Sequence, residues 1–171
     1  LLFSGFTSFS QTNLAGNGSQ ASASGEITGG GVALAFDADT TTGWMVSPSA
    51  SQWIQYDVTT PVVVDGYAMH YLADSAAEFQ PVSWTFEGSG NGSDWTVIDN
   101  IADNIIFVEW EQFITANTTP YRYYRLNVTA SGSDTLAIGE LQLYVIEVPT
   151  VLTGYANYIE AQLASCSGNV T

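Results

Sequence analysis

The chain has 171 residues, of which 17 are acidic and only two basic, both of them arginine, for a formal net charge of −15. Neutralising phosphates takes clustered Lys and Arg, so this balance excludes nucleic-acid binding and an electrostatic hold on anionic membranes. Only 11% of residues are charged while 46% are apolar, which excludes a disordered acidic tail and predicts a packed globular chain under a Ser, Thr, Asn and Gly surface.

Residues 1–31 are rich in Ser, Gly and Asn, with apolar touches at Phe3, Phe6 and Phe9. They read as an irregular lead-in followed by one strand around 19–24. The run 53–58 alternates, setting Ile54, Tyr56 and Val58 on one face and Gln55 and Asp57 on the other. A strand over 62–71 follows Pro61, with Tyr67, Met69 and Tyr71 opposite Ala68 and His70. Another over 82–87 follows Pro81. The stretch 88–94 (GSGNGSD) is a dense turn, and the strand pattern resumes at 95–98. Runs at 105–114, 121–128 and 140–146 complete the set. Short strands at this spacing, with 13% aromatic residues, predict an antiparallel sandwich or barrel.

The tail differs. In 155–164 (YANYIEAQLA) the apolar residues Tyr155, Tyr158, Ile159 and Leu163 fall at helical spacing. Cys166 is the single cysteine, so no internal disulfide forms. No apolar run reaches the length of a membrane span, and nothing reads as a signal peptide. The opening Leu1-Leu2-Phe3 lacks a Met, as expected of a processed product or a piece of something longer.

The stretch with the most chemistry is Phe36-Asp37-Ala38-Asp39-Thr40-Thr41-Thr42-Gly43-Trp44. Alternating aspartates followed by three threonines make an oxygen-rich turn, the donor set a hard cation such as Ca²⁺ requires. Asp and Thr are also ordinary turn formers, so these residues by themselves leave a plain turn open.

Six segments in order carry a resemblance. Asn13-Leu14-Ala15 with Ala21-Ser22-Ala23-Ser24 is similar to the NLA…ASS opening of the discoidin, or coagulation-factor type C, family and of the related family-32 carbohydrate-binding modules. Residues 36–44 match that family's A-x-D-G-D-x-x-T-x-W segment, with Ala38 where the family has Gly. Residues 52–58 (QWIQYDV) match its W-I-x-V-D-L strand, and 89–95 (SGNGSDW) its S-x-D/N-G-x-x-W hairpin. Residues 121–126 (YRYYRL) match A-R-Y-V-R-L, and 138–144 (IGELQLY) the closing E-L-x-V-Y strand. The resemblance covers residues 13–147.

It implies an all-β antiparallel sandwich of jelly-roll, galactose-binding-domain type over 13–147, between extensions at 1–12 and 148–171. It also implies a structural Ca²⁺, held by side-chain oxygens of Asp37, Thr42 and Glu140 and carbonyls of Leu34, Asp39, Thr42 and Gly139. Trp44, Trp53, Trp84 and Trp95 fall on family core positions and are expected to be buried.

Catalysis finds little footing. His70 is the single histidine, and no nucleophile elbow accompanies it. It reads as a structural or surface residue, or else as part of a ligand loop. Asp74 with Glu78, or Glu109 with Glu111, offers a carboxylate pair for glycoside hydrolysis, but such residues more often stay solvated. Arg125 is expected to pair internally with a carboxylate such as Asp57, and Arg122 is left open as a ligand contact.

Sugar recognition needs an aromatic platform and a few polar groups on loops. The loops 46–51, 73–80 and 106–110 supply Phe79, Phe107 and Trp110 as rings and Asp74, Glu78 and Glu109 as polar partners, with His70 and Arg122 as further candidates. Sequons at Asn17, Asn91, Asn117, Asn127 and Asn169 suit an extracellular setting. The expectation is a non-catalytic, calcium-stabilised module that binds a glycan or cell-surface polysaccharide outside the cell or on a virion. The alternative is a structural decoration, fibre or filament subunit docking on its neighbours through both termini.

Overall fold

The computed structural model describes residues 10–47, 51–72, 77–105 and 109–147. Within them lie eleven strands: β1 (Ser10–Asn13), β2 (Ala21–Ala23), β3 (Trp44–Val46), β4 (Gln52–Val62), β5 (Gly66–His70), β6 (Pro81–Ser89), β7 (Thr96–Ile101), β8 (Trp110–Ile114), β9 (Tyr121–Ser131), β10 (Leu136–Ile138) and β11 (Glu140–Glu147). One sheet has the order β2-β4-β9-β6-β7, a second β1-β11-β5-β8, and β10 and β3 form a separate ribbon. The pairings are antiparallel, as the alternating sequence pattern requires. The sandwich is the unit Gln11–Ile146. The helical spacing at 155–164, the phenylalanines of the lead-in and Cys166 lie outside the described residues.

Aromatic side chains join the two large sheets. Tyr67 of β5 stacks on Phe86 of β6 with centroids 4.3 Å apart, and Phe113 of β8 meets Trp84 of β6 edge-on at 5.4 Å. Trp44, Trp84, Tyr56, Tyr67, Tyr124, Phe36 and Phe86 are fully buried. The buried Tyr67 hydroxyl stays satisfied because it donates to Asp99 Oδ2 at 3.1 Å and accepts from Trp84 Nε1 at 3.0 Å. Burial pushes its pKa far above the ordinary tyrosine range.

Two expectations need correction. Trp53 and Trp95 are half-buried, unlike Trp44 and Trp84. In β4 the core takes Ile54 and Tyr56, so the pleat turns Trp53, Gln55 and Asp57 to the other face. Trp95 lies under the Arg125 guanidinium, 4.1 Å from its ring centroid.

The strand expected over 62–71 is divided. Val62 ends β4, and β5 covers only Gly66–His70, buried at every position. A register shift between Asp57 and Val62, with Thr59 at φ 65, carries β4 through Pro61 as an irregularity. The Tyr124 hydroxyl then donates to the Val62 carbonyl at 2.6 Å and accepts from Val64 N at 3.1 Å, pinning the crossing to β5.

Candidate functional site

The acidic turn grows out of a 3-10 helix at Val32–Phe36, anchored by buried Ala35 and Phe36. Asp37 Oδ1 accepts from Asp39 N at 2.9 Å, and Thr42 Oγ1 donates to Asp37 Oδ2 at 3.0 Å and to the Asp39 carbonyl at 3.1 Å. Ala38, where the family pattern has glycine, sits at φ 66 in the left-handed region. The turn therefore keeps its glycine-type backbone without the glycine.

Glu140 opens β11 beside this turn and is 2% exposed. Its Oε1 is buried with no hydrogen-bond partner. Burial first, and then the neighbouring Asp37 carboxylate, push its pKa up to about 7, against a hydrogen bond from the Ala38 backbone. An orphaned carboxylate oxygen next to a second carboxylate is what a missing positive charge would leave behind.

The other residues implied as ligands divide. Asp39 Oδ1 accepts from Thr41 N at 2.9 Å and Thr41 Oγ1 at 2.6 Å, which holds the Asp39 carboxyl below its usual range. What Asp39 brings toward Asp37 and Thr42 is its carbonyl. Leu34 lies within the 3-10 helix, its N donating to the Gly31 carbonyl, and Gly139 N donates to the His70 carbonyl. Among the described residues no three His, Cys, Asp or Glu side chains converge. A cation here would rest on two carboxylates plus hydroxyl and carbonyl oxygens, a set that fits Ca²⁺ rather than a transition metal.

The same end of the sandwich carries the aromatic candidates. Glu140 is opposite His70, and His70 opposite Trp110, in a row across β11, β5 and β8. The His70 ring meets Trp110 edge-on at 5.0 Å and stacks on Tyr71 at 5.3 Å, with Nδ1 2.5 Å from the Tyr71 carbonyl. His70 is 7% exposed, whereas Trp110 is 41% exposed. Thus His70 braces a tryptophan that faces solvent.

Next to this pair lies a cavity of about 20 Å³, lined by Met69, His70, Gln80, Asn104, Glu111 and Ile138 among others. That is room for a water-sized group. Glu111 accepts from Asn104 Nδ2 at 2.9 Å through Oε2. Gln80 is 8% exposed, and its side chain makes no hydrogen bond among the described residues. Gln80, Asn104 and Glu111 were absent from the ligand candidates; alternation along 110–114, which turns Glu111 and Phe113 away from Trp110, Gln112 and Ile114, marks Glu111 as inward-facing.

The remaining candidates are dispersed. Glu78 is exposed and Phe79 half-buried on a 3-10 turn, Ala77–Phe79, leading to Gln80. Glu109 is exposed just before Trp110. Asp74 and Phe107 lie outside the described residues.

Both arginines pair internally, Arg125 with a carboxylate other than the one named for it. Arg122, held open as a ligand contact, makes a bidentate pair with Asp57 at 2.9 and 2.8 Å. Arg125 pairs at 2.5 Å with Glu87, not Asp57. The reason is register: Arg125 sits across from Gln55 on one side and Glu87 on the other.

A model of the F5/8 type C domain matches residues 20–141. Among solved structures, the chain is similar to CpGH89CBM32-5 from Clostridium perfringens, in complex with GalNAc-β-1,3-galactose. That match has 13% identity over 78% of this chain and 100% of the other, with a TM-score of 0.68. The family 32 carbohydrate-binding module of C. perfringens NanJ, in complex with galactose, gives 15% identity, 79% and 99% coverage and a TM-score of 0.65. Chitosan-binding module 1 of a chitosanase/glucanase from Paenibacillus sp. IK-5 gives 21%, 78% and 99%, and 0.66. A search of curated protein sequences finds no match.

Proposed function

Because the chain belongs to the F5/8 type C domain family, we propose that it is a non-catalytic glycan-binding module, stabilised by Ca²⁺ and displayed outside the cell or on a virion. The observation that carries the glycan reading is Trp110, an exposed ring braced edge-on by buried His70, which itself lines a small cavity together with Gln80 and Asn104. A sugar C–H face stacks on such a ring while its hydroxyls take hydrogen bonds from polar groups beside it. Solved structures sharing the fold are complexed with galactose and GalNAc-β-1,3-galactose, which supports this reading. Affinity electrophoresis of the full chain through gels containing neutral polysaccharides tests it. Retardation that disappears in Trp110→Ala is expected; unretarded wild-type protein in every gel would sink it.

The cation is supported by the orphaned Glu140 oxygen facing Asp37. When bound, it supplies the positive charge that permits both carboxylates to stay ionised. Asp37, Thr42 and Glu140 would hold it with side-chain oxygens, and the turn carbonyls would complete the shell.

A second reading, assembly with other subunits, is favoured by a different observation. The large apolar side chains exposed among the described residues, Val97, Ile105, Trp110 and Ile114, fall within residues 97–114. β7 and β8 are each an edge of their sheet and so present unpaired backbone groups. Sedimentation of the full chain separates the readings: a monomer at high concentration argues against assembly.

A further inference from the structure

β8 is the outermost strand of its sheet and pairs with β5 on one side only. Just past its end, Thr115 N donates to the Asp65 carbonyl at 2.7 Å. Backbone groups of an antiparallel strand turn toward and away from a neighbour at alternate residues. Phe113 and Glu111 therefore turn theirs toward β5, and a Cβ placed on Gly66 of β5 would meet the Phe113 carbonyl at 3.1 Å. Trp110, Gln112 and Ile114 turn their N–H and C=O groups to the open edge. Their side chains are also the exposed ones, Trp110 at 41% and Ile114 at 72%.

The other sheet edges are blunted in the ways that prevent pairing. β1 and β2 span four and three residues. β7 is bulged: Asp99 is opposite Phe86 but Val97 opposite Glu87, so Ile98 is the extra residue. β8 runs from Ile114 opposite Gly66 to Trp110 opposite His70 with no register shift. It contains no Pro and no Lys, and its one charged side chain, Glu111, accepts from Asn104 Nδ2 within its own sandwich.

The sequence of this edge complements itself. Turned about a two-fold axis at Gln112, β8 meets a second β8 antiparallel, with Gln112 opposite the partner's Gln112 and Trp110 opposite the partner's Ile114. These opposed residues are the ones whose backbone groups face outward, so each pair exchanges two N–H···O bonds. The indole packs beside an isoleucine, a favourable cross-strand pair. In this register Glu111 faces the partner's Phe113 and Glu109 the partner's Thr115, so no carboxylate faces another across the two chains.

Deepening the assembly reading above, on which it rests, we infer that the chain forms a two-fold dimer by pairing β8 with β8 of a second copy. The two four-stranded sheets then join into one sheet of eight strands. Both Trp110 side chains fall on the same face of that sheet, so a repeating ligand meets two rings at once.

Sedimentation equilibrium of the full chain in about 0.5 M NaCl, which shortens the reach of repulsion between two acidic chains, tests this. The parent should form a dimer and stop there, because a two-fold interface closes on itself. Ile114→Lys should raise the dimer Kd about tenfold or more, since the burial lost with one isoleucine in each copy exceeds that factor. Gln112→Pro removes the central donor of the open edge, not one used by β5, and should weaken the dimer likewise at an unchanged melting temperature. Val97→Lys, the same charge change at an exposed residue of β7, should leave Kd unchanged. If Gln112→Pro does not melt cooperatively, Ile114→Lys against Val97→Lys decides.

A parent chain that stays monomeric overturns both the dimer and the assembly reading. A dimer indifferent to Ile114→Lys, one weakened equally by Val97→Lys, or an assembly that grows past two copies overturns the edge pairing and leaves assembly standing.

Discussion

Glu140 is buried against Asp37 with one carboxylate oxygen unpartnered, and the two residues are brought together from opposite ends of the sandwich's sequence. Ca²⁺ should therefore raise the melting temperature of EDTA-treated protein. At a free concentration of 100 Kd the gain is about 2.7 kcal/mol, a rise of roughly 5–10 °C for a domain of this size. An unchanged melting temperature counts against the cation.

Without a cation, the same pair gives stability a defined pH dependence. The Glu140 pKa, raised from 4.5 to about 7, means that the folded state binds the extra proton between those values. Stability from this group is then present at low pH, falls as pH rises from the ordinary carboxylate value toward 7, and is lost above it. In EDTA, Glu140→Gln should melt higher than the parent at pH 8, the gap should close by pH 4.5, and the variant should not respond to Ca²⁺. Parallel pH profiles for both proteins would contradict this.

Ala38 holds φ 66, a conformation that costs a residue with a Cβ about 1–2 kcal/mol relative to glycine. Glycine there gives back part of that gain through a more flexible unfolded chain. Ala38→Gly should stabilise the protein by about 1 kcal/mol in urea titration at unchanged m-value.

The two arginines should behave differently when removed. Arg125 is mostly buried against Glu87, so Arg125→Ala strands a buried carboxylate and should cost about 3 kcal/mol. The Arg122 side chain is 43% exposed, and solvent screens its pair with Asp57. Arg122→Ala should shift the chemical denaturation midpoint far less than Arg125→Ala does.

These contrasts show where the sequence is legible. Alternation assigns Ile54 and Tyr56 inward, and the same alternation overrides the expectation that Trp53 is core. The three-residue strands β3 and β10 escape notice because they exist through pairing with each other, from Leu136 opposite Val46 to Ile138 opposite Trp44. The acidic turn is legible because its chemistry is local, from Asp37 to Thr42. Its link to Glu140 is implied by family resemblance, since nothing near Glu140 in sequence marks it as buried beside a carboxylate. The cavity residues Gln80, Asn104 and Glu111 come from three separate parts of the chain, and only folding makes them neighbours. The arginine pairing turned on strand register, which a single sequence does not specify.

The most direct test of the central claim is a glycan array probed with the full chain in Ca²⁺, with Trp110→Ala alongside. The account predicts a set of bound glycans for the parent chain and at least a tenfold loss of signal on the same glycans for Trp110→Ala, with an unchanged melting temperature. No bound glycan, or equal signals from both proteins, would contradict it.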